Sequence, residues 1–372
     1  MIKLLRVFFS VLFLAQTFAQ DQNVEEVSIV STANVFSEYF DCGCPKNPLG
    51  GFARKSFFLK KMMPDRQTIL VDAGNIFYND SRVNPDNLSI DQRKFKAKHL
   101  VDILEQFNHN VVNIGSNDFK GGKEFLVDIT NESSVSFISA NLRDKESGNL
   151  LFKPYQIVEE GGFKIGFIGL SEATRFESII NENFIEVGNK YINEIEDSVD
   201  IIVLLINLSE QNQIDLASSF KDADFIFLSG TTSVTGPRTK QSENGPKIYA
   251  GGVQGKNLSI LDIRVKDFNN EITDVSARFN RLQEIDFRLN RLQAKDPKKT
   301  LESLYSDQPN VLDLIKKYQK EAVELGQALS GISNRSIFFS VPLSPSIPDD
   351  EEIAAFIDEI AQKADFPLGR DS

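Results

Sequence analysis

The feature that most limits this chain is its supply of short, almost wholly apolar segments. "TILVDA" (68–73), "DIIVLLIN" (200–207) and "DFIFLSG" (224–230) show little of the polar–apolar alternation of a half-exposed strand. A strand buried on one face alone would alternate; a continuous run needs cover on both. Helical patterns stand between these runs. "GGFARKSFFLKKM" (50–62) reads as a helix, and "IDQRKFKAKHLVDILEQF" (90–107) places Phe95, Leu100, Ile103, Leu104 and Phe107 at helical spacing. Further strands are expected at 25–32, 110–115, 135–140, 247–252 and 258–265, a helix near 123–129, and a hairpin with a Glu-Gly-Gly turn in "KPYQIVEEGGFKIGFIGL" (153–170). Strands alternating with helices imply a layered α/β fold.

From about residue 272 the pattern turns helical. "DVSARFNRLQEIDFRLNRLQ" (274–293) aligns Phe279, Leu282, Leu289 and Leu292, and "VLDLIKKYQKEAVELGQAL" (311–329) aligns Leu312, Ile315, Ala322, Leu325 and Leu329. Together they read as an antiparallel helical hairpin. A last helix is expected within 347–364, with Asp349 as its N-cap. The expected organisation is a leader over 1–19, an α/β domain over 25–270 and a helical extension over 274–364.

Residues 1–19 carry the marks of a signal peptide. Lys3 and Arg6 precede an apolar stretch from Val7 to Ala15, and Thr17-Phe18-Ala19 offers a small-residue cleavage site. The chain is therefore expected to be exported, periplasmic or secreted, with no membrane span after cleavage. Its formal net charge is −12. Nucleic acid and anionic membrane surfaces repel such a surface and are excluded as expected partners. An unidentified small molecule or protein remains as the partner.

Several segments resemble the 5′-nucleotidase branch of the calcineurin-like metallophosphoesterases, in the family's order. "GGFARKSFFLKKM…TILVDAGNIF" resembles its G-G-x-A-R helix and D-A-G-D strand end. "VVNIGSNDF" stands where the family has G-N-H-[DE]-F, and "FISANL" resembles its S-A-N strand. "KPYQIVEEGGFKIGFIGLSE" is similar to its K-P-Y…G-x-K-[IV]-G-x-I-G-L stretch. "DIIVLLINLS" and "FIFLSGTTS" occupy the places of its S-H-L-G and G-G-H-T-H motifs, and "GPKIYAGGVQGKNLSILDIRV" resembles its closing strand pair. The resemblance spans residues 25–266, about two-thirds of the chain. It implies a four-layer αββα sandwich with active-site loops at the strand ends.

That family hydrolyses phosphate esters with two metal ions. Two dications roughly 3.5–4 Å apart need a bridging carboxylate and several imidazoles to offset their repulsion. Here the matched positions read otherwise. The first motif, D-x-H, has become Asn34 and Phe36; the bridging aspartate is Asn75. Ser116 and Asn117 replace the Asn-His pair, Asn207 the next histidine, and Thr231 and Ser233 the last two. Asn34, Phe36, Asn75, Ser116, Asn117, Asn207, Thr231 and Ser233 thus form a remnant pocket of neutral groups. The chain's two histidines, His99 and His109, lie in or just past a helix, away from these loops. No residue is assigned as a metal ligand, and a divalent metal enters only if the site is active. In that case Asp72, Asp118 and Asn117 are the catalytic candidates, together with Asp41 and the thiols. A second use for Asp72 and Asp118 is to brace loops by accepting backbone N–H groups.

The two cysteines stand in "EYFDCGCPKNPLGGFARK" (38–55). This loop is similar to that of an exported subgroup of the superfamily, some of whose members are joined to multihaem cytochrome domains. No C-x-x-C-H occurs here. Three readings of Cys42 and Cys44 stay open: a strained disulfide, a soft-metal site with charge from Asp41 or Asp118, or a loop without chemistry. Arg54 is expected to anchor a nearby carboxylate such as Asp72.

Three functions follow. The first is an exported, catalytically degenerate phosphoesterase-fold protein that binds a ligand through the old active-site face. The second is a hydrolase with a rearranged site. The third is an accessory to periplasmic electron transfer, implied only by the subgroup resemblance.

Overall fold

The computed structural model of the 372-residue chain describes residues 24–79, 88–107, 111–172, 175–209, 215–236 and 239–368. The expected leader and His109 lie outside the described residues. The described chain divides into two units. One holds residues 27–261 and 340–368, the other residues 24–26 and 262–339.

The larger unit is built on two sheets. In the first, β1 (Glu25–Thr32), β2 (Thr68–Asp72), β3 (Val111–Asn113) and β4 (Ser136–Ile138) lie side by side and parallel, with Thr32 opposite Asp72, Asp72 opposite Val112, and Asn113 opposite Ile138. In the second, the strand order is β11 (Lys247–Ala250), β10 (Phe225–Ser229), β9 (Ile201–Asn207), β7 (Phe163–Ser171), β6 (Tyr155–Glu160). Its first four members are parallel, and β6 pairs antiparallel with β7 across the expected glycine turn. A two-stranded ribbon joins β5 (Leu142–Asp144) to β8 (Ile179–Asn181).

Helices cover the outer faces. α1 (Phe52–Met62), α2 (Ile90–Gln106) and α3 (Lys123–Asn131) share one apolar core with Val112 and Phe137 of the first sheet. α4 (Phe184–Ile195) and α5 (Leu216–Ser219) pack on the second sheet through Ile168, Leu170, Leu204, Ile206 and Ile226. All seven residues of β9 are buried, so both of its faces are covered. The layers run helix, sheet, sheet, helix, and the unalternated strands are the sequence record of that burial. No helix among the described residues is long and apolar enough to cross a membrane.

The smaller unit contains α6 (Ser276–Gln293), α7 (Leu301–Leu304) and α8 (Pro309–Ser330). Arg281 pairs with Glu321 at 2.7 and 2.9 Å while Arg288 reaches Tyr318, so α6 and α8 run antiparallel. Ile285 and Ile315 are fully buried at their seam. Ile285 falls between Leu282 and Leu289 on the expected stripe.

Two features differ from the sequence reading. Residues 274–364 are not wholly helical: β13 (Arg335–Pro342) interrupts them, and its first residues pair in parallel with β12 (Thr273–Asp274). The last helix, α9 (Glu351–Lys363), belongs to the larger unit, where Ile353, Ile357 and Ile360 enter the core beside α1 and α2. It is capped by Asp350, whose carboxylate accepts the N–H groups of Glu352 and Ile353 at 3.2 and 3.1 Å. Asp349 instead lies 3.6 Å from Arg54. The helix begins one residue later than expected, so the neighbouring aspartate meets its unpaired N–H groups.

Candidate functional site

Because β1 to β3 are parallel, as are β7, β9 and β10, each sheet delivers its strand ends to one edge. The loops leaving these ends have unusual backbone. Asn34, Phe36, Ser37, Asn75 and Gln254 have φ between 51° and 64°, and they are the non-glycine left-handed residues found among the described residues. Asparagine tolerates that region, whereas an aromatic residue does not adopt it without surrounding support. Strained backbone concentrated on one loop cluster marks a geometry that the rest of the fold enforces. Gly230 and Gly115 serve the same crowding. A Cβ on Gly230 would run into the Leu208 carbonyl, and one on Gly115 into the backbone of Asn75.

Three amides tie the loops together. Asn34 Oδ1 accepts the Gly230 N–H at 2.8 Å, while its Nδ2 donates to the carbonyls of Gly252 (2.8 Å) and Thr231 (3.0 Å). Asn75 Oδ1 accepts the Asn117 N–H at 3.0 Å, and its Nδ2 lies 3.4 Å from Asn34 Oδ1. Asn207 Oδ1 accepts the Ser116 N–H at 2.8 Å, and its Nδ2 donates to Ser229 Oγ, also at 2.8 Å. Ser229 Oγ donates onward to the Ala73 carbonyl at 2.7 Å. All three asparagines are buried. An amide carries both donor and acceptor, so each can bridge two loops at once.

The acids lie beneath this layer. Asp118 accepts the N–H groups of Asn75 (3.1 Å), Gly115 (2.8 Å) and Phe77 (2.9 Å). Burial pushes its carboxyl up to about 7, against the pull of these N–H groups. Asp72 accepts the Thr32 hydroxyl at 2.6 Å and the Gly74 N–H at 2.8 Å. Burial raises it to about 6, opposed by the Thr32 hydroxyl, the Gly74 N–H and the nearby Lys55 ammonium. Lys55 is buried too, which draws its pKa down to about 7 while Asp72 holds it up.

The structure thus brings Asn34, Asn75 and Asn207 into one network. Ser116 and Asn117 join it through their backbone N–H groups and Thr231 through its carbonyl. Ser233 stands outside, exposed, with its N–H on Thr231 Oγ1 at 3.1 Å. Phe36 is half-buried and lines a small depression with Ser37, Phe77 and Tyr78. Arg54 does not anchor Asp72. It pairs with Asp41 at 2.9 Å and donates to the Pro48 carbonyl at 2.6 Å, because α1 turns that side of the helix toward its own preceding loop. The cation near Asp72 is the adjacent Lys55. Its signal was a lone lysine on the apolar face of "ARKSFF", and Ser229 and Asn113, at strand ends, were also missed. Asn113 Nδ2 donates to the Ala73 and Leu170 carbonyls, each at 3.0 Å, and so links the two sheets. His99 lies on α2 with Nδ1 2.7 Å from Asp102.

A pair of dications does not fit these residues. No group of three or more His, Cys, Asp or Glu able to hold a metal occurs among the described residues. The amide oxygens at the matched positions already accept backbone N–H groups and carry no charge. The soft-metal reading of the cysteine loop meets the same obstacle. The Asp41 carboxylate is held by Arg54 and the Gly43 N–H, and Asp118 by three N–H groups.

No protein-family model matches the chain. A 2′,3′-cyclic-nucleotide 2′-phosphodiesterase/3′-nucleotidase of Haemophilus influenzae is 22% identical over 226 residues, 54% of this chain and 34% of that protein. The chain thus spans about a third of that relative's length. A 5′-nucleotidase precursor of Thermus thermophilus superposes with a TM-score of 0.60 at 14% identity, covering 91% of this chain and 59% of that one. A calcineurin-like phosphoesterase of Bacillus subtilis gives 0.59 at 14% identity, covering 91% and 98%.

Proposed function

Because this chain has the fold of the 5′-nucleotidases and calcineurin-like phosphoesterases, we propose that it is an exported, non-hydrolytic version of that fold. It acts by binding through the loops at the strand ends. One observation carries the reading. Asn34, Asn75 and Asn207, at the matched ligand positions, each use donor and acceptor to join one loop to another. Hydrogen bonds hold the loops in the arrangement that metal coordination would otherwise impose.

The change also alters what the face attracts. A phosphate dianion is drawn to a dinuclear site by its cations. Here Asp72 and Asp118 lie beneath uncharged groups, in a chain of net charge −12. The groups at the surface are amides and hydroxyls, among them Ser116, Asn117, Thr231 and Ser233. Such a rim suits a neutral polar ligand, recognised by hydrogen bonds. The nucleotide chemistry in the names of the similar proteins does not follow from the fold alone.

The test is metal analysis of the purified protein, then hydrolysis assays on nucleotides and an aryl phosphodiester with added manganese, zinc or cobalt. The expected result is substoichiometric metal and no metal-dependent turnover. Turnover that rises with metal and is lost in Asp118→Ala or Asp72→Ala would establish a rearranged hydrolase instead.

A further inference from the structure

The loop between β1 and α1 holds the only two cysteines of the chain. No disulfide joins them, and their sulfurs lie 2.6 Å apart, close enough for one to form. The loop is closed at its base. Asp41 and Gly50 pair as an antiparallel bridge, and the Cys42 N–H donates to the Leu49 carbonyl at 2.8 Å. Arg54 clamps both sides, through the Asp41 carboxylate at 2.9 Å and the Pro48 carbonyl at 2.6 Å. The Gly43 N–H donates to Asp41 Oδ1 at 2.9 Å, which curls the backbone between the two cysteines. These contacts bring the two sulfurs to each other. They also differ in access: Cys42 is buried, 5% exposed, whereas Cys44 is half-buried. The Leu49 N–H points at Cys42 Sγ from 3.4 Å.

We propose that Cys42 and Cys44 form a thiol–disulfide exchange site, with Cys44 as the entry thiol and Cys42 as the resolving thiol. The co-substrate is an accessible disulfide. Cys44 Sγ, as thiolate, attacks one sulfur of that disulfide. The sulfur–sulfur bond breaks, one half leaves as a thiolate, and the other half stays joined to Cys44. Cys42 Sγ then attacks Cys44 Sγ, closing the Cys42–Cys44 disulfide and releasing the second half as a thiolate. The protons lost by the two cysteines are taken up by the two released thiolates. Two electrons pass from the cysteine pair to the co-substrate, which is reduced to two thiols. Access sets the order, because an incoming disulfide can meet Cys44 but not the buried Cys42. The resolving step is favoured electrostatically. Burial pushes the Cys42 thiol up, but its contact with Cys44, the Leu49 N–H and the charge of Lys256 outweigh burial and leave it below the ordinary thiol value. The site shares no residue with the amide network, so it stands or falls apart from the non-hydrolytic reading.

The test reacts the reduced full-length chain with dithiobis(nitrobenzoate), then with glutathione disulfide and with insulin as small-molecule and protein disulfides. The wild type should release two equivalents of nitrothiobenzoate per chain and finish lighter by two hydrogens, with no adduct. Cys42→Ser should release one equivalent and keep the adduct on Cys44. Cys44→Ser should react about tenfold or more slowly, since only the buried thiol remains. Circular dichroism matching the wild type confirms that both variants are folded. The faster oxidant of the other two identifies the source of the disulfide. A wild type that keeps two adducts, that reacts with none of the three, or whose thiols are masked by copurified zinc or copper overturns the proposal. So does Cys44→Ser reacting as fast as Cys42→Ser.

Discussion

Asn34→Ala is the most direct probe of the amide network. The change removes one acceptor and two donors, leaving the Gly252 carbonyl, the Thr231 carbonyl and the Gly230 N–H without their partner. Gly252 is buried, and its stranded carbonyl costs about 2 kcal/mol. Thr231 and Gly230 are half-buried, so water recovers part of their loss, and they add about 1 kcal/mol between them. Alanine at a φ of 51° costs about 1 kcal/mol more, because it lacks asparagine's tolerance of the left-handed region. Together the loss is about 4 kcal/mol. Urea unfolding followed by circular dichroism measures it, and hydrogen exchange at the Gly230 amide locates it. Asn34→Asp provides the sign check. It keeps the acceptor but turns a carboxylate oxygen toward two carbonyls. It should therefore be at least as damaging as alanine at pH 8, and milder near pH 4, where the acid is protonated. A loss below about 1 kcal/mol in Asn34→Ala, with the Gly230 amide as protected as in wild type, would refute the view that amides hold these loops.

Asp118 supplies a pH prediction. Its folded pKa, about 7, lies above the unfolded value of 3.8. Its favourable contribution is therefore full below about pH 4 and is lost as pH rises from there to about 7, by up to about 4 kcal/mol in all. Asp118→Asn should flatten that part of the stability curve between about pH 4 and 7, measured by urea unfolding at each pH. Lys55→Met should cost most, up to about 3 kcal/mol, near pH 6.5, between the Asp72 value of about 6 and the Lys55 value of about 7, where it leaves an ionised Asp72 buried without its cation. Adding Asp72→Asn should recover much of this in a double-mutant cycle, and simple additivity would count against the pairing. Arg54→Ala removes both clamps on the cysteine loop and should speed alkylation of Cys42 about tenfold or more by exposing it, read by mass spectrometry of iodoacetamide adducts.

Much of the fold was legible because its signals are local. β2, β9 and β10 appear as apolar runs, α2 as a helical stripe, and the β6–β7 hairpin as paired glycines between strands. β13 was not read, since "RSIFFSVP" sits between two helical patterns. Asn34, Asn75 and Asn207 were legible as residues at strand ends, and the structure joins them in one hydrogen-bond network. That Arg54 anchors a nearby carboxylate was legible, but the choice of Asp41 over Asp72 depends on which way α1 faces as it packs.

By itself, the chain's sequence determined which segments are buried strands and helices, that Asn34, Asn75 and Asn207 offer neutral amides at strand ends, and that two cysteines sit one residue apart. Those properties depend on side-chain chemistry and on periods of a few residues. Only the tertiary structure decided that Asn34 bonds Gly252, 218 residues away, and that Asn207 reaches Ser116, 91 residues away. It also decided that Cys42 is buried while Cys44 is reachable. Hydrogen-bond partners and solvent access are set by which loops the packed sheets bring to one edge, and no local pattern carries that information.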